Sequence, residues 1–174
     1  SGGDPWDEGE ADREAAVSKW NAAKIAARDA RFEALKGQVA GIENLLKTFS
    51  SCINCHNCMT VCPICFCKEC FFNSAVFEFD ANRFMDWSQA RGGLRLPSDT
   101  LLFHLGRMNH MATSCVACGM CQDACPNDVP VAEIFKMVGF NAQARFEYVA
   151  GRSLDEPVPL TQFREDELHE IGGE

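Results

Sequence analysis

The sequence predicts a mainly α protein with a small α+β core, a long helix towards the N-terminus and an extended C-terminal tail. Three observations carry this. The segment from Ala11 to Lys36 contains neither Gly nor Pro before Gly37 and is rich in Ala, Glu, Lys and Arg, the composition of a strong helix former. Eleven cysteines gather in two dense clusters, 52–70 and 115–125, so the core is expected to form around them. The last stretch, "GRSLDEPVPLTQFREDELHEIGGE", sets Pro157 and Pro159 among acidic residues and makes a poor packing element.

The elements follow in chain order. Residues 1–10 are polar and contain Gly, as expected of an arm that orders only against something else. On the helix that follows, the larger apolar residues are Val17, Trp20, Ile25, Phe32 and Leu35. They form a narrow stripe, which suits either a small core of its own or a partner surface. A second helix, "GIENLLKTFSS", brings Ile42, Leu45, Leu46 and Phe49 to the first cysteine cluster. Asp80 is placed to cap a short helix with Phe84 and Trp87 that Gly92-Gly93 stops. After Pro97, Ser98 or Asp99 opens "TLLFHLGRMNHMA", on which Leu101, Leu105, Met108 and Ala112 fall at helical spacing. Pro130 then precedes a helix over "VAEIFKMVGFNAQARF". The expected organisation is an N-terminal arm with helices over 1–48, a cysteine-centred domain over 49–140 with an insertion at 71–112, and a helix end with a docking tail over 141–174.

A net charge of −9, with Lys and Arg mixed among Asp and Glu, argues against a nucleic-acid partner. No segment resembles a signal peptide, and no run approaches the roughly 20 apolar residues of a membrane span. The sequence holds no G-x-G-x-x-G, P-loop or nucleophile elbow, so catalysis is expected to reside in another chain.

Cysteines two or three residues apart converge on a metal centre more readily than they pair across a fold. Cys52, Cys55, Cys58 and Cys62 follow C-x2-C-x2-C-x3-C with Pro63 behind them, and Cys115, Cys118, Cys121 and Cys125 repeat it with Pro126. This is the run of the bacterial ferredoxins, in which the fourth cysteine ligates the other cluster. Carried over, the pattern gives a bacterial-type dicluster ferredoxin core. Cys52, Cys55, Cys58 and Cys125 would hold one [4Fe-4S] cluster, and Cys115, Cys118, Cys121 and Cys62 the other. Gly119 suits the close backbone approach such a site needs. Zinc competes because C-x2-C pairs also build zinc ribbons, but three cysteines at successive x2 spacing crowd a single tetrahedral ion.

"CINCHNCMTVCPICFCKECFF" followed by "FHLGRMNHMATSCVACGMCQDACPNDVPV" resembles the iron–sulfur portion of the coenzyme F420 hydrogenase and formate dehydrogenase beta-subunit family, over about Ile42 to Phe140. The flavin-binding region of that family has no room in these 174 residues. A small member without it is similar to the electron-transfer subunit that pairs with a tungsten-containing, aldehyde-oxidoreductase-like subunit in class II benzoyl-CoA reductase. The resemblance implies a catalytic oxidoreductase partner and a further redox protein.

Cys65, Cys67 and Cys70 are left over, three thiols in six residues. A third cluster is the natural use for them, and it lacks one ligand. Histidine can replace cysteine on iron, which makes His104 or His110 the candidate; the two lie about 120° apart around one helix and cannot easily serve one site together. Against this, a free cysteine packs well as a small apolar residue, and either histidine can be a hydrogen-bonded core residue. His56, between two ligands, is expected to tune rather than bind, and His169 to be solvated in the tail.

Two or three clusters in one small chain make a relay for single electrons to or from a catalytic subunit. A freely diffusing carrier is the rival reading, and a zinc-bound structural module the more distant one. Low-potential clusters without disulfide logic point to the cytoplasm of an anaerobe.

Overall fold

The computed structural model describes residues 9–93 and 98–161. The first eight of the ten residues expected to form an arm, Pro97, and the tail from Gln162 onward with His169 lie outside the described residues. The chain divides into two compact units, Ser1–Ala40 and Gly41–Glu174.

The first unit is built on one helix, α1 (Glu10–Val39), with Glu10 and Asp12 in its first turn and Lys36 in its last, the charge order that a helix dipole favours. Of its apolar stripe, Phe32 and Leu35 are buried, whereas Val17, Trp20 and Ile25 are exposed.

The second unit follows the predicted order. Gly41, at φ +79°, opens α2 (Gly41–Thr48), and one turn of helix, α3 (Asn57–Thr60), lies within the first cysteine run. Two 3₁₀ turns, Phe71–Asn73 and Ala75–Phe77, precede α4 (Ala81–Arg91). The Asp80 carboxylate accepts from the Asn82 N–H at α4's start, and Gly92 ends it in the left-handed conformation. Then come α5 (Ser98–Met111), one more turn, α6 (Met120–Asp123), in the second run, and α7 (Val131–Arg145). The α3 turn packs on α6, and both α5 and α6 pack on α7.

The expected α+β core is not what forms, because the described residues contain no strand. The cause is local. Each cysteine run folds as turns and a single helical turn, with α2 leading into the first and α5 and α7 flanking the second, so neither run lies extended as a strand requires. The chain beyond α7 is also not extended as far as it is described. Phe146, Glu147 and Tyr148 fold back on the helix end through their N–H groups, Gly151 takes φ +81°, and Arg152 pairs with Glu156.

The core lies along α5 and α7. Phe49, Phe103, Met111, Val129, Val131, Ile134 and Phe135 are buried there, and a second apolar group joins Cys58, Met59, Phe72 and Phe103. The inward face of α5 is not the one its leucines suggest. Leu101, Leu105 and Met108 are only partly covered, while Thr100, Phe103, His104, Arg107 and Met111 are buried.

Candidate metal centres

The two cysteine runs share one backbone geometry. In the first, Asn54 and His56 flank Cys55 with positive φ (54° and 57°); in the second, Ala117 and Gly119 flank Cys118 likewise (56° and 88°). Left-handed residues on both sides of the second cysteine coil the chain into a cup. The cup turns amides onto sulfur: the Asn54 N–H reaches Cys52 Sγ at 3.5 Å and the Ala117 N–H reaches Cys115 Sγ at 3.4 Å. The third amide of this kind, from Val129, approaches Cys125 Sγ at 3.4 Å. Glycine at 119 adopts its conformation freely, whereas His56 is held in the equivalent place by stacking on Phe103, with ring centroids 4.2 Å apart.

The structure brings the eight cysteines of the runs together in two groups of four. Cys52, Cys55, Cys58 and Cys125 line one cavity, and Cys62, Cys115, Cys118 and Cys121 line another. Each run lends its fourth cysteine to the other's cavity. The exchange is fixed by α3 packing on α6 and by the Asn127 side-chain amide, which donates to the Ser51 carbonyl and ties the end of the second run to the head of the first.

Two side chains of α5 reach these thiols. His104, 1% exposed, sets Nε2 3.3 Å from Cys52 Sγ and stacks on Phe49 with centroids 4.2 Å apart. Burial, then the Arg107 cation and His56, push its pKa down to about 4, so the ring is neutral. Its Nδ1 has no hydrogen-bond partner; a proton on Nε2 therefore makes the one donor contact on hand, N–H to sulfur, whereas a proton on Nδ1 would be buried and unsatisfied. Arg107 sends Nη1 to Cys58 Sγ at 3.2 Å and Nη2 to the Cys58 carbonyl at 3.0 Å. Burial pushes the Cys58 thiol up to about 11, and the Arg107 guanidinium is the one charge that opposes it. Burial also raises Cys65, Cys115 and Cys121, with Arg107 opposing each time.

The leftover cysteines do not line these cavities. Cys65 and Cys70 are partly buried against the Cys58, Met59, Phe72 and Phe103 group, Cys70 Sγ lies 3.7 Å from Met59 Sδ, and Cys67 is exposed. Of the two histidines offered to this site, His104 is at Cys52 instead, and His110 is exposed on the outer side of α5. The physical reason is the turn of α5: its inward face runs through Thr100, Phe103, His104 and Arg107, which aims His104 at the first cavity and His110 away. Among the described residues no three His, Cys, Asp or Glu side chains are close enough to hold one metal ion. A cubane asks less of them, since each of its four thiolates takes a different iron around the cavity. No helix among the described residues is long and apolar enough to cross a membrane.

A family model described as a 4Fe-4S dicluster domain matches residues 47–129, a span that takes in both runs. The chain is also 32% identical over 117 residues to the F420-dependent formate dehydrogenase subunit beta of Methanocaldococcus jannaschii, covering 67% of this chain. To the F420-dependent formate dehydrogenase 1 subunit beta of Methanococcus maripaludis it is 32% identical over 119 residues, covering 68%. About two thirds of the chain is thus similar in sequence to these beta subunits. It spans 27% of the length of each of these relatives.

For the dicluster domain, spacing and the ferredoxin pattern led to the same two sets of four cysteines that the cavities gather. Arg107 was missed. Its signal was present in the stretch "FHLGRMNHM", where a cation recurs three residues after a histidine on a face that also holds Phe103, but nothing in the spacing says which face turns inward.

Proposed function

We propose that this chain is an electron-transfer subunit that relays single electrons through [4Fe-4S] clusters to or from a catalytic oxidoreductase subunit. The reading is carried by the pair of four-cysteine cavities, each completed from the other run. Bound clusters supply the one-electron chemistry. The chain's own groups do the rest: backbone N–H groups and His104 donate to sulfur, Arg107 adds a buried positive charge, and the phenylalanines exclude water. The role of a subunit beside a catalytic partner is that of its relatives; formate and F420 are no part of it.

Two finer parts belong to the same proposal. Cys65, Cys67 and Cys70 provide three ligands of a third cluster, completed, with His104 at Cys52 and His110 turned outward, by a water or by a cysteine from another chain. The partner is a tungsten-containing, aldehyde-oxidoreductase-like subunit, as the resemblance to benzoyl-CoA reductase implies, with a further redox protein at the other end.

Iron and acid-labile sulfide analysis tests the reading. Two clusters give about eight irons and three give about twelve; zinc without sulfide overturns it. Purification from native extract distinguishes the subunit from a free carrier, because a carrier runs alone at low salt. Metal analysis of the purified complex tests the partner, and a complex free of tungsten removes that assignment.

A further inference from the structure

Arg107 is the most deeply buried charged side chain of the core, at 2% exposure. Among the described residues no carboxylate forms an ion pair with it; the ion pairs found involve Arg28, Lys36 and Arg152. Its guanidinium is held between the rings of Phe103 and Phe135, 5.7 and 5.0 Å from their centroids, and Nε has no hydrogen-bond partner. A cation taken out of water without an anion is strongly unfavourable. The fold nevertheless fixes it with two hydrogen bonds to Cys58, a residue of the first cavity, and makes it part of the wall of the second.

We propose that Arg107 is a shared counter-charge for both centres, a positioning residue that holds the Cys58 thiolate and raises the reduction potentials of the two clusters together. The inference rests on the reading that the two cavities hold [4Fe-4S] clusters. Four thiolates leave such a cluster with net negative charge, and one electron received from a donor adds another. A buried cation beside it stabilises the reduced form more than the oxidised one, and low dielectric strengthens the effect. Because one side chain both lines the second cavity and hydrogen-bonds Cys58 of the first, its charge acts on both potentials. The first centre gains in addition the hydrogen bond to Cys58 Sγ.

The test uses the full chain loaded with iron, compared as wild type, Arg107→Met and Arg107→Lys, by iron and sulfide content and by EPR-monitored redox titration. The expected result for Arg107→Met is that both potentials become more negative, the first more than the second, with Arg107→Lys lying between Arg107→Met and wild type. If both potentials stay at the wild-type value in fully loaded Arg107→Met, or if only one moves, the shared role is wrong. Should Arg107→Met lose iron while Arg107→Lys loads normally, charge is what the site requires and the proposal stands; loss of iron from both variants assigns Arg107 a packing role and overturns it. Wild-type protein without iron and sulfide would instead refute the reading of the cavities themselves.

Discussion

Ala117 and His56 hold a left-handed backbone with side chains that disfavour it, and Gly119 holds it at no such cost. For an ordinary L-residue that conformation costs about 1–2 kcal/mol, and part of the gain from glycine is returned through its freer unfolded chain, about 0.5–1 kcal/mol. Ala117→Gly is therefore expected to stabilise the loaded protein by up to about 1 kcal/mol. Gly119→Ala should destabilise it by about the same, although open space surrounds its Cβ position, because the strain is in the backbone. Anaerobic denaturant titration reads both. Opposite signs are the decisive feature, and equal signs would mean that side-chain packing, not φ, governs the cup. The left-handed positions are where the sequence was least informative: a glycine at 119 announces the conformation, whereas asparagine, histidine and alanine at 54, 56 and 117 do not.

At the scale of elements, α5 is the keystone, and two contacts show how it is held. Gly106 lies under the Phe72 ring, so a Cβ there would meet Phe72 Cζ at 2.7 Å. Gly106→Ala is expected to cost about 1–3 kcal/mol as an overpacked core, and to disturb the 3₁₀ turn that follows Cys70. Gln143 of α7 donates to the carbonyls of Ala112 and Cys115, both at 3.1 Å, and accepts from the Ala150 N–H at 3.2 Å. One amide thus pins the end of α5, the first cysteine of the second run and the turn after α7. Gln143→Ala leaves three polar groups without partners and should cost about 3 kcal/mol, at about 1–3 kcal/mol for each that water does not reach. Thermal unfolding of the loaded protein checks both substitutions. The helices themselves were legible, because periodicity, the Asp80 cap and the Gly92 stop are local. The burial of His104 and Arg107 was not, because leucine spacing on α5 pointed to a neighbouring face and only the thiols across the cavities make polar groups welcome inside.

For the whole molecule, cluster number is the quantity that separates a two-centre relay from a three-centre one. Replacing Cys65, Cys67 and Cys70 together by Ser is expected to lower iron from about twelve to about eight per chain, leaving the EPR signals of the two ferredoxin-type centres in place. Unchanged iron would make these three thiols packing residues, a role Cys65 and Cys70 already fill in part beside Phe72 and Phe103. The grouping of the eight other cysteines was legible at this scale because a repeated spacing is itself a long-range statement. The absence of strands among the described residues was not, since the ferredoxin pattern carries an expectation about the surrounding chain that its cysteines do not enforce.

The lending of one cysteine by each run to the other's cavity also has a consequence in time. Synthesis proceeds from the N-terminus, so Cys52, Cys55 and Cys58 leave the ribosome early and wait, three thiols without a fourth, until Cys125 has emerged. The ring of Cys62, Cys115, Cys118 and Cys121 is complete slightly sooner, at residue 121. The cavity whose cysteines are made first is therefore the last to receive its fourth, and a chain truncated before Cys125 would hold that trio incomplete.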